Sequence, residues 1–158
     1  MLDKAGIKPL VETFSYSPTR IQLLNKDPRS WEEFRRHLGE HSARGSALTM
    51  RNYQALRPSL YDFEAQIRAC EVPTLVVAGD EDDPVLDIAL SIKRWMPGAG
   101  LQVLPKTGHA VNLEEPELFN RSMRDFLSAV ERGRWVPRDP RAQPNRSAVL
   151  PDELSVKS

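Results

Sequence analysis

Four apolar residues in succession, Leu75-Val76-Val77-Ala78, form the centre of the β-rich run VPTLVVAGD. Side chains alternate between the two faces of a strand, so an unbroken apolar run predicts a strand buried on both faces. Such a strand needs layers above and below it and a partner along each edge. Only Leu101 to Leu104, LQVL, reads as a second strand. Between the two, Asp83-Pro84 marks a turn, and Val85 to Trp95 reads as a helix that Pro97-Gly98 ends. Pro105 to His109 is a loop. Pro116 then opens an amphipathic helix to about Val130, with Leu118, Phe119, Met123, Phe126, Leu127 and Val130 on its apolar stripe. The pattern is a parallel βαβα unit with too few strands to bury its own sheet. Either another copy pairs with its exposed edge, or it is the C-terminal piece of a larger sheet, and the second account needs no special invention.

The first 70 residues read as mainly helical. Leu2 to Phe14 carries apolar residues at helical spacing, although Gly6 and Pro9 weaken it. Ser15 to Pro18 is turn-like, and Thr19 to Leu24 shows no clear period. Asp27-Pro28 suits a cap followed by a first-turn proline, with Ser30 and Glu33 as an alternative capping box. Trp31, Phe34 and Leu38 share a face of the helix that follows. Further helices are expected over Ser46 to Leu56 and from Ser59 through SLYDFEAQIRAC. Three regions result: 1–70, a helical region; 71–131, the βαβα unit; and 132–158, an Arg/Pro-rich tail expected to be flexible, with Trp135 and Val136 anchored on the body.

Composition removes several classes of function. Lys plus Arg and Asp plus Glu each number 22. That balance offers no broad basic face for nucleic acid, and the tail's charge run is short and interrupted by acids. The single cysteine, Cys70, rules out an internal disulfide and a cysteine metal cluster. No apolar run approaches a membrane span, and the first residues show no signal-peptide core, so the expected setting is cytoplasmic.

Two clusters carry possible chemistry. GDEDDP, Gly79 to Pro84, follows the first strand, and KTGHAVNLEEP, with His109, follows the second. In an open parallel sheet, reactive groups collect beyond the carboxyl ends of strands. Adjacent parallel strands put both loops at one sheet edge. There a carboxylate can accept the imidazole N–H, fix its tautomer and stabilise its charged form; the same pair can also be a structural ion pair. The acidic loop lacks an EF-hand pattern and specifies no metal. His37 and His41 lie four apart without the Glu of a zinc-binding helix, so no metal site is expected there either.

VPTLVVAGDEDDP followed by LQVLPKTGHAVNLEEPELFNRSMRDFL resembles the C-terminal part of an α/β-hydrolase. The resemblance covers about Val72 to Val130. It implies that Gly79-Asp80-Glu81-Asp82 presents the catalytic acid, Asp82, and that Gly108-His109 presents the general base, His109. Asp80 and Asp83 are the competing acids if the loop register slips. More weakly, the first 70 residues resemble the helical cap of such enzymes, where Trp31, Phe34, Tyr53, Tyr61 and Phe63 are candidates to line a pocket; helix packing is the better reading for most of them. The implied fold is a partial α/β-hydrolase: a cap-like region followed by a C-terminal parallel βαβα unit, with no cofactor.

One part of that machinery is missing from the sequence. The family's nucleophile sits on a G-x-S-x-G elbow. Glycines occupy positions 6, 39, 45, 79, 98, 100, 108 and 133, and no two are four apart. Ser15, Ser17, Ser42, Ser46 and Ser59 lie in turns or cap-like segments without the strand–elbow–helix context. The oxyanion-hole loop of the early strands is absent too. The expectation is a truncated hydrolase-like chain, inactive alone, with a small-molecule substrate only in a complete protein. The alternative is a non-catalytic interaction module or pseudoenzyme that dimerises through its exposed sheet edge.

Overall fold

The computed structural model describes residues 6–142. Its N-terminal layer is helical. Helix α1 spans Lys8–Ser15, with Pro9 in its first turn, where a missing N–H costs nothing. Of the helix expected over Leu2 to Phe14, residues 1–5 lie outside the described segment, and Gly6, with a positive φ, turns the chain ahead of Lys8. Helix α2, Ile21–Lys26, falls where no periodicity was legible. It is held by tertiary burial, since Leu23 is fully buried. Helix α3, Pro28–Gly39, begins at Asp27, whose side chain accepts the N–H groups of Arg29 and Ser30. Helix α4, Ala43–Thr49, is capped by Ser42 and widens into a π-helical turn over Met50–Gln54. The expected third helix splits into a 3₁₀ turn, Leu60–Phe63, and α5, Glu64–Arg68, started by a capping box of Ser59 and Asp62.

Strand β1 is Thr74–Gly79 and β2 is Ala99–Leu104. They pair in parallel with Thr74 opposite Ala99 and Gly79 opposite Leu104. Helix α6, Asp83–Trp95, is the crossover between them and packs on both. A short helix α7, Val111–Glu114, precedes α8, Pro116–Glu131. The fold is mixed α/β, a helical cap region joined to a small parallel core, as the sequence predicts.

Two apolar clusters result. Val11, Leu23, Trp31, Leu38 and Ala47 are buried in the helical layer, and Ala78, Ala89, Met96, Ala99, Leu104 and Val111 around the strands. Leu75, Val76 and Val77 are only half-buried, and Val103, Leu113, Leu118 and Leu127 are exposed. The apolar strand therefore lacks full cover on its faces within the described residues. At one end Trp135 closes part of that gap. Its indole N–H donates to Gly98 O at 2.7 Å, and its ring meets Phe126 edge-on, centroids 4.7 Å apart. Arg138 N–H donates to Pro97 O, so the segment after α8 follows the body to a 3₁₀ turn at Pro140–Ala142. Residues 143–158 of the tail expected over 132–158 lie outside the described segment.

Candidate functional site

The carboxyl ends of β1 and β2 extend their ladder into the loops beyond. Asp80 N–H donates to Leu104 O at 3.0 Å and Glu81 N–H to Thr107 O at 2.9 Å. The two loops touch so closely that Gly79 has no room for a side chain: a Cβ there would lie 2.1 Å from Thr107 O and 2.4 Å from Gly108 O. This contact sets the distance between the acidic loop and the histidine.

The acids then separate by role. Asp80 Oδ1 accepts the Thr107 N–H at 3.2 Å and ties the loops together. Glu81 turns to Gln22, which donates to it at 2.9 Å, and stands 3.7 Å from Lys106. Asp83 enters the first turn of α6, where an acid complements the helix dipole. Asp82 meets His109: its Oδ2 lies 2.7 Å from Nδ1. The Asp82 side chain is 5% exposed and that of His109 50%. An ionised carboxylate can only accept, so in this pair a half-exposed ring presents Nδ1 as the donor, and Nε2 is its other nitrogen.

The helical layer contributes to this place through residues that sequence reasoning missed. The Thr19 carbonyl accepts the His109 backbone N–H at 2.8 Å. A Cβ on Gly108 would stand 2.4 Å from that carbonyl and 2.5 Å from Gln22 Oε1, so only glycine admits so close an approach. Arg20 lies over the Phe14 ring at 3.9 Å and is bonded to Ser17 Oγ and Thr19 Oγ1. Burial pushes its pKa below the usual value, and the negative charge of Asp82 partly opposes this. Glu114 sits beneath the histidine loop, its side chain fully buried. None of these had a periodic or motif signal. For Glu114 the only cue was its position five residues after His109.

The aromatic pocket candidates divide. Trp31 is a packing residue, buried, with its N–H on Ser15 O and Tyr16 edge-on at 5.0 Å. Phe34 lies 5.8 Å beneath Arg20. Tyr53, Tyr61 and Phe63 line an open cavity of about 840 Å³ with Pro84 and Val85 of α6. A second hollow of about 550 Å³, lined by Leu10, Phe14, Leu38, His41 and Met50, lies within the helical layer. His37 Nε2 contacts the guanidinium of Arg36. Among the described residues no group of three or more His, Cys, Asp or Glu is placed to hold a metal, and no helix is long and apolar enough to cross a membrane.

The sequence pattern of the Alpha/beta hydrolase family matches residues 3–122. A Bacillus subtilis protein named as a 2-succinyl-6-hydroxy-2,4-cyclohexadiene-1-carboxylate synthase is 24% identical, over 76% of this chain and 44% of its own length. An Agrobacterium fabrum protein named as the carbamate hydrolase RutD is 30% identical, over 80% of this chain and 48% of its own. The solved structure of MenH from S. aureus superposes with a TM-score of 0.76 at 24% identity, over 82% of this chain and 48% of that one. The chain therefore spans about half the length of the relatives it matches.

Proposed function

The chain belongs to the α/β-hydrolase family, and on that premise we propose that it carries the acid and base of a hydrolase site whose nucleophile lies outside this sequence. The observation that carries the reading is the 2.7 Å contact between buried Asp82 and half-exposed His109 at the carboxyl edge of the sheet.

Asp82 holds the proton of the neutral ring on Nδ1, so Nε2 keeps a lone pair. That lone pair takes the proton of a nucleophile hydroxyl as it attacks a carbonyl or similar centre. The imidazolium that forms is stabilised by the Asp82 carboxylate, and Nε2–H then protonates the leaving group. In the second half-reaction the same nitrogen deprotonates water. Without a nucleophile or an oxyanion hole this sequence is inactive by itself, since those groups supply the covalent step and several kcal/mol of charge stabilisation. A small carbonyl compound as substrate is consistent with the names of two relatives, a carbamate hydrolase and a 2-succinyl-6-hydroxy-2,4-cyclohexadiene-1-carboxylate synthase.

The test is a chimera in which the part of the S. aureus MenH chain not matched here is joined to this sequence. Turnover of aryl esters or related carbonyl substrates is expected, with a loss of about a hundredfold to ten-thousandfold in Asp82→Asn and a comparable loss in His109→Ala. A folded chimera whose turnover is indifferent to both substitutions sinks the reading.

The outer edges of the two-stranded sheet, unpaired among the described residues, favour a second reading, a non-catalytic module that pairs through its sheet edge. Light scattering on the purified chain decides this: a defined dimer that dissociates when charge is placed on β2 supports it, and a monomer at all concentrations removes it.

A further inference from the structure

Three consecutive backbone N–H groups surround the imidazole's attachment to the chain, and each has a dedicated acceptor. Gly108 N–H donates to Glu114 Oε2 at 2.8 Å, His109 N–H to Thr19 O at 2.8 Å, and Ala110 N–H to Glu114 Oε1 at 3.2 Å. One buried carboxylate therefore grips the peptide on both sides of His109, and a carbonyl of the helical layer takes the group between. The Glu114 side chain has no solvent exposure. A buried carboxylate is costly unless it is bonded and compensated. Compensation comes from Lys26, the last residue of α2, whose Nζ is 3.7 Å from Glu114 Oε2, 2.5 Å from Glu115 Oε1 and 3.1 Å from Thr107 Oγ1.

We propose that Glu114 is a positioning residue: it fixes the backbone of the histidine loop so that Nδ1 of His109 stays on Asp82, and Lys26 makes that grip depend on the helical layer. The proposal rests on the reading of His109 as the base, and it adds a residue to which that reading assigns no role. The chemistry of the side chain is what matters. Two N–H donors point at one group, and only a carboxylate offers two acceptor oxygens in that span. A glutamine of nearly the same shape presents one oxygen and one NH₂, so one of the two donors is left facing another donor.

The test needs no turnover. Long-range proton–nitrogen spectra of the full chain, taken at mildly alkaline pH where an ordinary imidazole is neutral, report which ring nitrogen carries the proton. Wild type is expected to show His109 protonated on Nδ1. Glu114→Gln should convert this to a mixture of tautomers and speed amide exchange at Gly108 or Ala110 by at least about tenfold. Glu115→Gln, which removes the neighbouring partner of Lys26, should leave the tautomer unchanged. A folded Glu114→Gln protein with wild-type tautomer and exchange overturns the proposal, even if its urea midpoint falls, because that is the behaviour of a merely stabilising residue. An equal effect from Glu115→Gln overturns it as well. Should Glu114→Gln fail to fold, the wild-type protein still decides: the amides of residues 108, 109 and 110 must all be protected, and open-loop exchange at any of them refutes the arrangement. An inactive chimera beside a wild-type ring protonated on Nδ1 would refute the hydrolase half-site and leave the positioning role intact.

Discussion

Gly79→Ala is the smallest change that should pull Asp82 and His109 apart. The added Cβ would lie 2.1 Å from Thr107 O, 2.4 Å from Gly108 O and 2.5 Å from Thr107 C. All three are backbone atoms, so no side-chain rotation can make room, and the first contact is roughly 1 Å inside the closest approach that packed atoms tolerate. The loop carrying His109 must move, or β1 must. Either movement strains the bond from Glu81 N–H to Thr107 O and the Asp80 carboxylate's bond to the Thr107 N–H. Overpacking of this kind costs about 1–3 kcal/mol and a lost hydrogen bond about 1 kcal/mol more, so a loss near 3 kcal/mol is expected. With a urea slope of roughly 2 kcal/mol/M, the midpoint should fall by about 1.5 M. Gly98→Ala is the matched control, because a Cβ there meets nothing within 4 Å. The paired measurement is urea unfolding by far-UV circular dichroism, with the His109 tautomer recorded in the native state. A Gly79→Ala protein within about 0.5 kcal/mol of wild type, still protonated on Nδ1, would refute the claim that this backbone contact sets the site.

Leu23→Ala should cost about 2–5 kcal/mol by urea unfolding, because Leu23 is fully buried in a six-residue helix with little propensity of its own. Trp135→Ala should destabilise by roughly 2–3 kcal/mol and free the Gly98 carbonyl, with α8 amides exchanging faster, since the ring covers Gly100 and packs on Phe126. The Asp27 carboxyl is held below its ordinary 3.8, first by the Ser30 hydroxyl and then by the Ser30 and Arg29 backbone N–H groups. A depressed folded-state pKa gives stability that is fully present above the unfolded value and is lost as pH falls through the folded one. Asp27→Ala should therefore lower the urea midpoint at neutral pH, and the gap to wild type should close only below the ordinary Asp range; a gap that persists unchanged in acid contradicts the assignment.

The parts of this molecule legible in the sequence are those where one residue type has one physical outlet. The run Leu75 to Ala78 had to be a strand, and the spacing from it to LQVL had to hold a crossover helix. The loops bearing Asp82 and His109 then met at one edge because parallel strands leave no other choice. Helix α2 was not legible because its six residues are organised by where Leu23 is buried. Glu114 and Glu115 are adjacent and chemically identical, yet the first is buried under the histidine loop and the second is partly exposed on Lys26. No local pattern separates them, because the difference is made by Gly108, Ala110 and a lysine more than 80 positions away.

The contact between Asp82 and His109 depends on little of the sheet. The register places Gly79 opposite Leu104, so both loops leave their strands at the same level. Asp80 and Glu81 then continue the ladder to Leu104 and Thr107, and Asp82 arrives opposite His109 as the next residue in that sequence of contacts. Further strands are not needed to bring the two groups within 2.7 Å. What the described residues do not provide is cover: Leu75 to Val77 stay half-buried and Val103 exposed. Apolar burial stabilises by about 25 cal/mol per Å², so those faces are where a complementary portion of sheet would add stability without altering the geometry of the pair. It follows that substitutions at the strand faces and at the loop contacts should behave differently when such a portion is supplied. A change that only weakens the strand faces should be rescued, whereas Gly79→Ala should not, because its clash lies inside the loops themselves.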